Sequence, residues 1–257
     1  MKKSIVKAGL FLSAVLACQL PARALDITVY DGNSTSPGWY GGQEDNETEP
    51  NTIIGQTWDM EAFVVQGTYL YMIGGFDFVN GNSGFKSGDI FIDTNNSFSS
   101  GPLSPGQFEP NSSYGYEIVL DLDFSALTYV ARVLSGASVL ETVTFDQLLS
   151  NPWRYSSGDL GTLASGLLTY QTGLTDAQIA TLYGIALSGG SHNVVGIDMS
   201  WYSNPNLATH FTMQCGNDNL VGKIGGGITV PDGGMTVMLL GMGLAGLAVA
   251  ARRMKRA

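Results

Sequence analysis

Alternating apolar and polar positions dominate the middle of the chain. Trp58, Met60, Ala62 and Val64 alternate with Thr57, Asp59, Glu61 and Phe63, and Gln66-Gly67 then supplies a turn. Thr68 to Ile73 is a second β-prone run, so the two read as strands joined by a tight connection. Asp89–Asp93, Tyr114–Asp123, Ala126–Leu134 and Val139–Phe145 follow as further strands. Val194–Tyr202 and Ala208–Met213 are the last two, the first with its apolar residues at odd positions. Between them lie stretches read as loops: residues 31–55, the glycine-rich 80–88, the proline-containing 94–113, and 151–173 with Trp153 and Tyr155. One helix is signalled. Thr175-Asp176-Ala177-Gln178 is a capping box, an apolar set runs from Ala177 to Leu187, and Gly189-Gly190 ends it. Many short strands and one short helix predict a mainly β domain, a jelly-roll-like β-sandwich.

The two ends break this pattern. Lys2, Lys3 and Lys7 precede an apolar run to Leu20, and Ala22-Arg23-Ala24 is an A-x-A cleavage site. Residues 1–24 read as a secretory signal for signal peptidase, with the mature chain starting at Leu25. At the other end Met235–Ala251 is seventeen residues without a charge, followed by Arg252, Arg253, Lys255 and Arg256. A helix of that length reaches ~25 Å, at the short end of what crosses a hydrocarbon core of ~30 Å. The basic residues behind it read as a stop signal that keeps the C-terminus cytoplasmic. The expected organisation is a signal peptide at 1–24, an exported domain at 25–229, and a tail at 230–257 with a transmembrane helix.

Val230-Pro231-Asp232-Gly233-Gly234, the apolar run and the basic end together resemble the PEP-CTERM sorting signal of bacterial surface proteins. Asp232 and Gly233 stand where the usual motif has Glu and a second Pro. The resemblance implies recognition of Val230–Gly234 by a membrane protease, the exosortase, and removal of the helix. Three inner segments, 88–94, 115–123 and 210–219, also resemble exosortase-dependent surface proteins. The last contains Cys215-Gly216-Asn217-Asp218. The implied destination is the cell surface or an extracellular, exopolysaccharide-rich matrix, with membrane anchoring before processing.

Charge changes the picture once the ends are set aside. Only Lys86, Arg132, Arg154 and Lys223 of the twelve Lys+Arg fall in 25–229, against twenty-one of the twenty-two acidic residues, a net of −17. Such a surface repels nucleic acid and anionic lipid and favours cations. Calcium is the cation expected outside a cell. Asp93 with Asn95, and Asp121 with Asp123, offer oxygens at alternate positions, although neither stretch completes an EF-hand loop. Both can equally be strand ends where Asp and Asn make turns. Cys18 leaves with the signal, so Cys215 has no partner within the chain and reads as a buried apolar residue.

Histidines occur only at 192 and 210, and neither H-E-x-x-H nor G-x-S-x-G is present, so catalysis is not expected. The function read from these features is structural or adhesive. Two alternatives remain. One is a carbohydrate-binding module, with Trp39, Tyr40, Trp153 and Tyr155 as platform candidates or as caps on the core. The other is a glycan-active hydrolase built on paired acids.

Overall fold

The computed structural model describes residues 52–53, 55–95, 97, 99, 101, 104–145, 150–203 and 206–225. The signal-cleavage residues Ala22, Ala24 and Leu25, the aromatics Trp39 and Tyr40, the Val230–Gly234 motif and the apolar run 235–251 lie outside them. Among the described residues no helix is long and apolar enough to cross a membrane.

The strands are β1 (Met60–Gln66), β2 (Tyr69–Gly74), β3 (Ile90–Asp93), β4 (Phe108–Pro110), β5 (Ile118–Asp123) and β6 (Thr128–Val133). They continue with β7 (Val139–Glu141), β8 (Arg154–Ser157) and β9 (Gly161–Leu174). The helix α1 (Asp176–Tyr183) precedes β10 (His192–Asp198), β11 (Asn206–Thr212) and β12 (Asn219–Gly225). The protein is therefore mainly β with one helix among the described residues, as its pattern predicts.

Nine strands form one antiparallel sheet in the order β1-β2-β10-β9-β6-β5-β3-β11-β12, and β4-β7-β8 form a separate small sheet. The large sheet turns on β9. Gly161 to Leu167 pair with β6, while Leu168 to Leu174 pair with β10. One fourteen-residue strand thus passes from one half of the sheet to the other, as strands do at the corners of sandwiches and barrels. The two edge strands come back together. The Met60 N–H on β1 donates to Asp218 Oδ2, just ahead of β12, at 2.5 Å. The sheet is nearly closed, and Phe63, Leu70, Phe78, Ile92, Leu120 and Phe211 pack inside it.

Two covers shield its outer face. Ile179 and Tyr183 of α1 pack on Ala62, Val64, Ile73 and Val194. Leu140 and Tyr155 of the small sheet pack with Phe91, Tyr116 and Val119. This explains why β1 is buried on both faces although its alternation predicts one: the helix covers the second. A bulge between Met60 and Ala62 also shifts the phase. Met60, Phe63 and Val65 point inward, Ala62 and Val64 outward, and Glu61 is the extra residue.

Four expectations need correction. The stretch 151–173 is not a loop, because it holds β8 and most of β9. The polar stretch 94–113 contains β4, and β12 follows the two strands expected last. The helix stops at Gly184, whose φ of 75° provides the left-handed C-cap before Gly189 is reached. Its capping box forms as read, with the Gln178 N–H donating to Thr175 Oγ1 at 3.3 Å and the Thr175 N–H to Gln178 Oε1 at 2.9 Å.

Candidate functional site

The turn between β11 and β12 is the Cys-Gly-Asn-Asp block, and each of its residues ties down a different piece of chain. Cys215 is buried against the sheet interior, and burial pushes its thiol pKa up. Gly216 has φ of 73°, and a Cβ there would sit 2.8 Å from the Phe145 carbonyl oxygen, so only glycine allows the 143–145 segment so near. Asn217 pairs with the backbone of Ile53, accepting its N–H at 2.9 Å and donating to its carbonyl at 2.8 Å. Asp218 holds the Met60 amide and so closes the sheet. The Thr144 and Phe145 amides donate to the Gln214 and Cys215 carbonyls at 2.9 and 3.2 Å.

Beside this turn lies a cavity of about 420 Å³ bounded by Ile53, Trp58, Phe85, Phe145, Cys215 and Asn217. Phe85 and Phe145 meet edge to face at 5.9 Å, and Trp58 leans on Phe85 at 6.5 Å. Phe145 is 57% exposed, so the aromatic wall reaches solvent. The Cys215 thiol stays protonated there and is a poor nucleophile, and the Asn217 amide is engaged by Ile53. The arrangement suits a small apolar or C–H-rich ring face and offers binding chemistry.

The residues singled out for metal binding do not converge. Asp93 and Asn95 lie at one end of the β3–β5 ladder, in which Ile92 pairs with Ile118 and Ile90 with Leu120. Asp121 lies at the other end. Asp93 Oδ1 accepts the Asn95 N–H at 2.8 Å. Glu117, which the sequence reading missed, joins them: its carboxylate accepts from the Thr94 N–H at 2.7 Å and from the Asn95 side-chain amide. Burial, and then Asp93 beside it, raise the Glu117 pKa. Asp121 is ion-paired with Arg132 at 2.8 Å, and Asp123 caps a turn through the Ser125 and Ala126 amides at 2.9 and 3.0 Å. No group of three or more His, Cys, Asp or Glu residues among the described residues is arranged to hold a metal ion.

Of the aromatic platform candidates, Trp153 and Tyr155 are buried, with the Arg154 and Arg132 guanidinium groups 5.8 and 5.5 Å from their rings. They cap the core. The ionisable cluster that the sequence reading missed is Glu61–His192–Asp176. His192 Nδ1 is 2.6 Å from Glu61 Oε2, and its Nε2 is 2.9 Å from Asp176 Oδ1. Sequence separation hides it, since the carboxylates come from the bulge in β1 and the first residue of α1.

These features define a nearly closed antiparallel β domain, braced by side-chain-to-backbone bonds and carrying an aromatic-walled cavity by the β11–β12 turn. No family model, curated protein or solved structure matches the chain.

Proposed function

We propose that the protein is an exported surface or extracellular-matrix protein with a structural or adhesive role. In this reading signal peptidase releases the chain after Ala24. The helix 235–251 then holds it in the membrane until an exosortase acts at Val230–Gly234. What remains is a jelly-roll-like β-sandwich, with β9 carrying the chain from one half to the other.

The observation that carries the reading is how the buried polar side chains are used. Asp218 binds the Met60 amide, and Asp89 binds the Leu122 and Tyr155 amides at 2.9 and 2.8 Å. Asn111 takes both the N–H and the carbonyl of Tyr116, and Asn151 takes the Val143 amide. The two aspartates brace distant strands, and the two asparagines pin the loops beside them, in a domain with Cys215 as its one cysteine. Such bracing supports a role in which the fold itself is the product.

Intact-mass measurement of protein from a host with its exosortase tests this. Loss of residues 1–24 and of everything beyond the motif is expected. In a host without the enzyme, the protein stays membrane-bound with its tail. Retention of 235–251 in the first host sinks the proposal.

The aromatic wall of the cavity favours a second reading, binding of an exopolysaccharide through Trp58, Phe85 and Phe145. A glycan array separates the two: binding that Phe145→Ala abolishes establishes the second, and an empty array leaves the first.

A further inference from the structure

We propose that Glu61, His192 and Asp176 form a proton-operated latch, which fastens the N-terminal end of α1 to the sheet and releases it when the imidazole loses its proton. The three residues come from three elements: the bulge of β1, the start of β10 and the first position of α1. Both carboxylates are acceptors, so both ring nitrogens must donate, and only the imidazolium does that.

The charged groups facing the ring are Glu61 from β1 and Asp176 from α1. The turn ahead of β1 contributes a neutral group, the Gln56 amide, which donates to Glu61 Oε1 at 2.9 Å. Burial opposes the charge on His192. The hydrogen bonds and charges of Glu61 and Asp176 outweigh it and hold the pKa above the ordinary 6.5.

The latch is asymmetric. Neutral imidazole keeps one N–H, so one of the two contacts must fail. The Glu61 and His192 side chains are 0% exposed, whereas that of Asp176 is 47% exposed. Stranding a buried carboxylate costs far more than turning an exposed one into water. The proton therefore stays between Nδ1 and Glu61, and the Asp176 contact is the one that opens. Asp176 Oδ1 also accepts the Gly190 N–H at 2.7 Å, so the 189–190 turn loosens with the first turn of the helix. Ala62, Val64 and Val194 lie on the sheet face that α1 covers, and water reaches it as the helix end lifts.

The latched form binds the extra proton. It is fully favoured below the pKa of the released imidazole and is lost as pH rises through the raised pKa of the latched one. Between those two values the opening equilibrium rises about tenfold per pH unit.

Hydrogen exchange of the full chain across a pH series, corrected for the intrinsic exchange rate, tests the proposal. Protection of the α1 and Gly190 amides should fall across that window while β5 and β6 hold theirs. Asp176→Asn keeps the fold and should flatten the α1 dependence, with protection in acid dropping toward the alkaline level of the parent. An NMR titration should place the imidazole above 6.5. An α1 profile indifferent to pH, a pH dependence unchanged in Asp176→Asn, or an imidazole titrating at or below its ordinary value would each overturn the latch.

Discussion

The two covers on the outer face of the sheet solve the same problem with different chemistry. Under α1 the buried carboxylate of Glu61 meets a charge, the imidazolium of His192. Under the small sheet the buried carboxyl of Asp89 meets two backbone amides, those of Leu122 on β5 and Tyr155 on β8. The outcome at the two sites differs in sign. The carboxylates hold His192 in its charged form against burial, whereas burial dominates at Asp89 and lifts its pKa to about 7. A chain with four bases between residues 25 and 229 cannot give every buried acid a cation. Backbone N–H groups serve where bases are missing, and they leave the acid only partly compensated.

Removing the charge at the helix side should have the largest effect. His192→Ala leaves Glu61 buried without its cation, and the expected loss of stability is about 3–5 kcal/mol. Urea unfolding followed by far-UV circular dichroism measures it. A loss below that of an ordinary surface substitution, about 0.5 kcal/mol, would erase the contrast between the covers.

Next in size is Asp89→Ala, which strands the Leu122 and Tyr155 amides. A cost of about 2–4 kcal/mol is expected, two amides losing their partner at about 1–2 kcal/mol each, the lower part of the usual range for a buried unsatisfied group. Asp89→Asn keeps an acceptor and should cost less. The two Asp89 variants should also differ from the parent in pH dependence. Asp89 ionises near 7 in the folded chain and near 3.8 when unfolded, so between those values the folded state binds more protons. Its contribution is greatest below about pH 4 and declines as pH rises to about 7. Melting curves across that window should show a slope in the parent that is absent from Asp89→Asn; equal slopes would mean that Asp89 is ionised throughout.

The smallest expected effect concerns calcium. At one end of the β3–β5 ladder burial, and then Asp93, raise the pKa of Glu117, whereas Asp121 at the far end is ion-paired with Arg132. An extracellular-type site with Kd of about 10⁻⁴–10⁻³ M would add roughly 0.4–1.4 kcal/mol at 1 mM calcium. Thermal melting in calcium against sodium at matched ionic strength measures it. The gain should vanish in Asp93→Ala and survive in Asp121→Ala, because Asp93 sits beside the Glu117 carboxylate, whereas Asp121 already has the Arg132 guanidinium at 2.8 Å. Equal melting temperatures in the two salts would leave a solvated acidic surface.

The strands that reading the sequence finds are those whose apolar residues alternate or cluster: β1, β2, β3, β5, β6, β7, β11 and the core of β10. It misses β4, β8, β9 and β12; the longest of these, β9, has Gly166 and Gly173 in its run, and Leu163 and Leu167 point into solvent, the latter 74% exposed. Its place in the fold comes from pairing with β6 on one half and β10 on the other. Gly166 serves that pairing by leaving room for the Tyr129 ring, since a Cβ there would lie 2.8 Å from Cε1. No local pattern encodes such a role. The Cys215–Asp218 block stands between the two cases. A resemblance singles it out along the chain, yet that Asp218 closes the sheet and Asn217 clamps Ile53 is visible only in three dimensions.

By itself the sequence determines the mainly β class, the position and N-cap of the helix, the burial of Cys215 and the acidic surface. These rest on interactions within a few residues of one another or on composition. Tertiary structure decides the near-closure of the sheet, the bulge that turns Glu61 toward His192, the company of Asp93 with Glu117 and the separation of both from Asp121. Each of these joins residues far apart along the chain. A one-residue bulge or a strand shared between two partners changes which side chains meet without changing the hydrophobic pattern that precedes it.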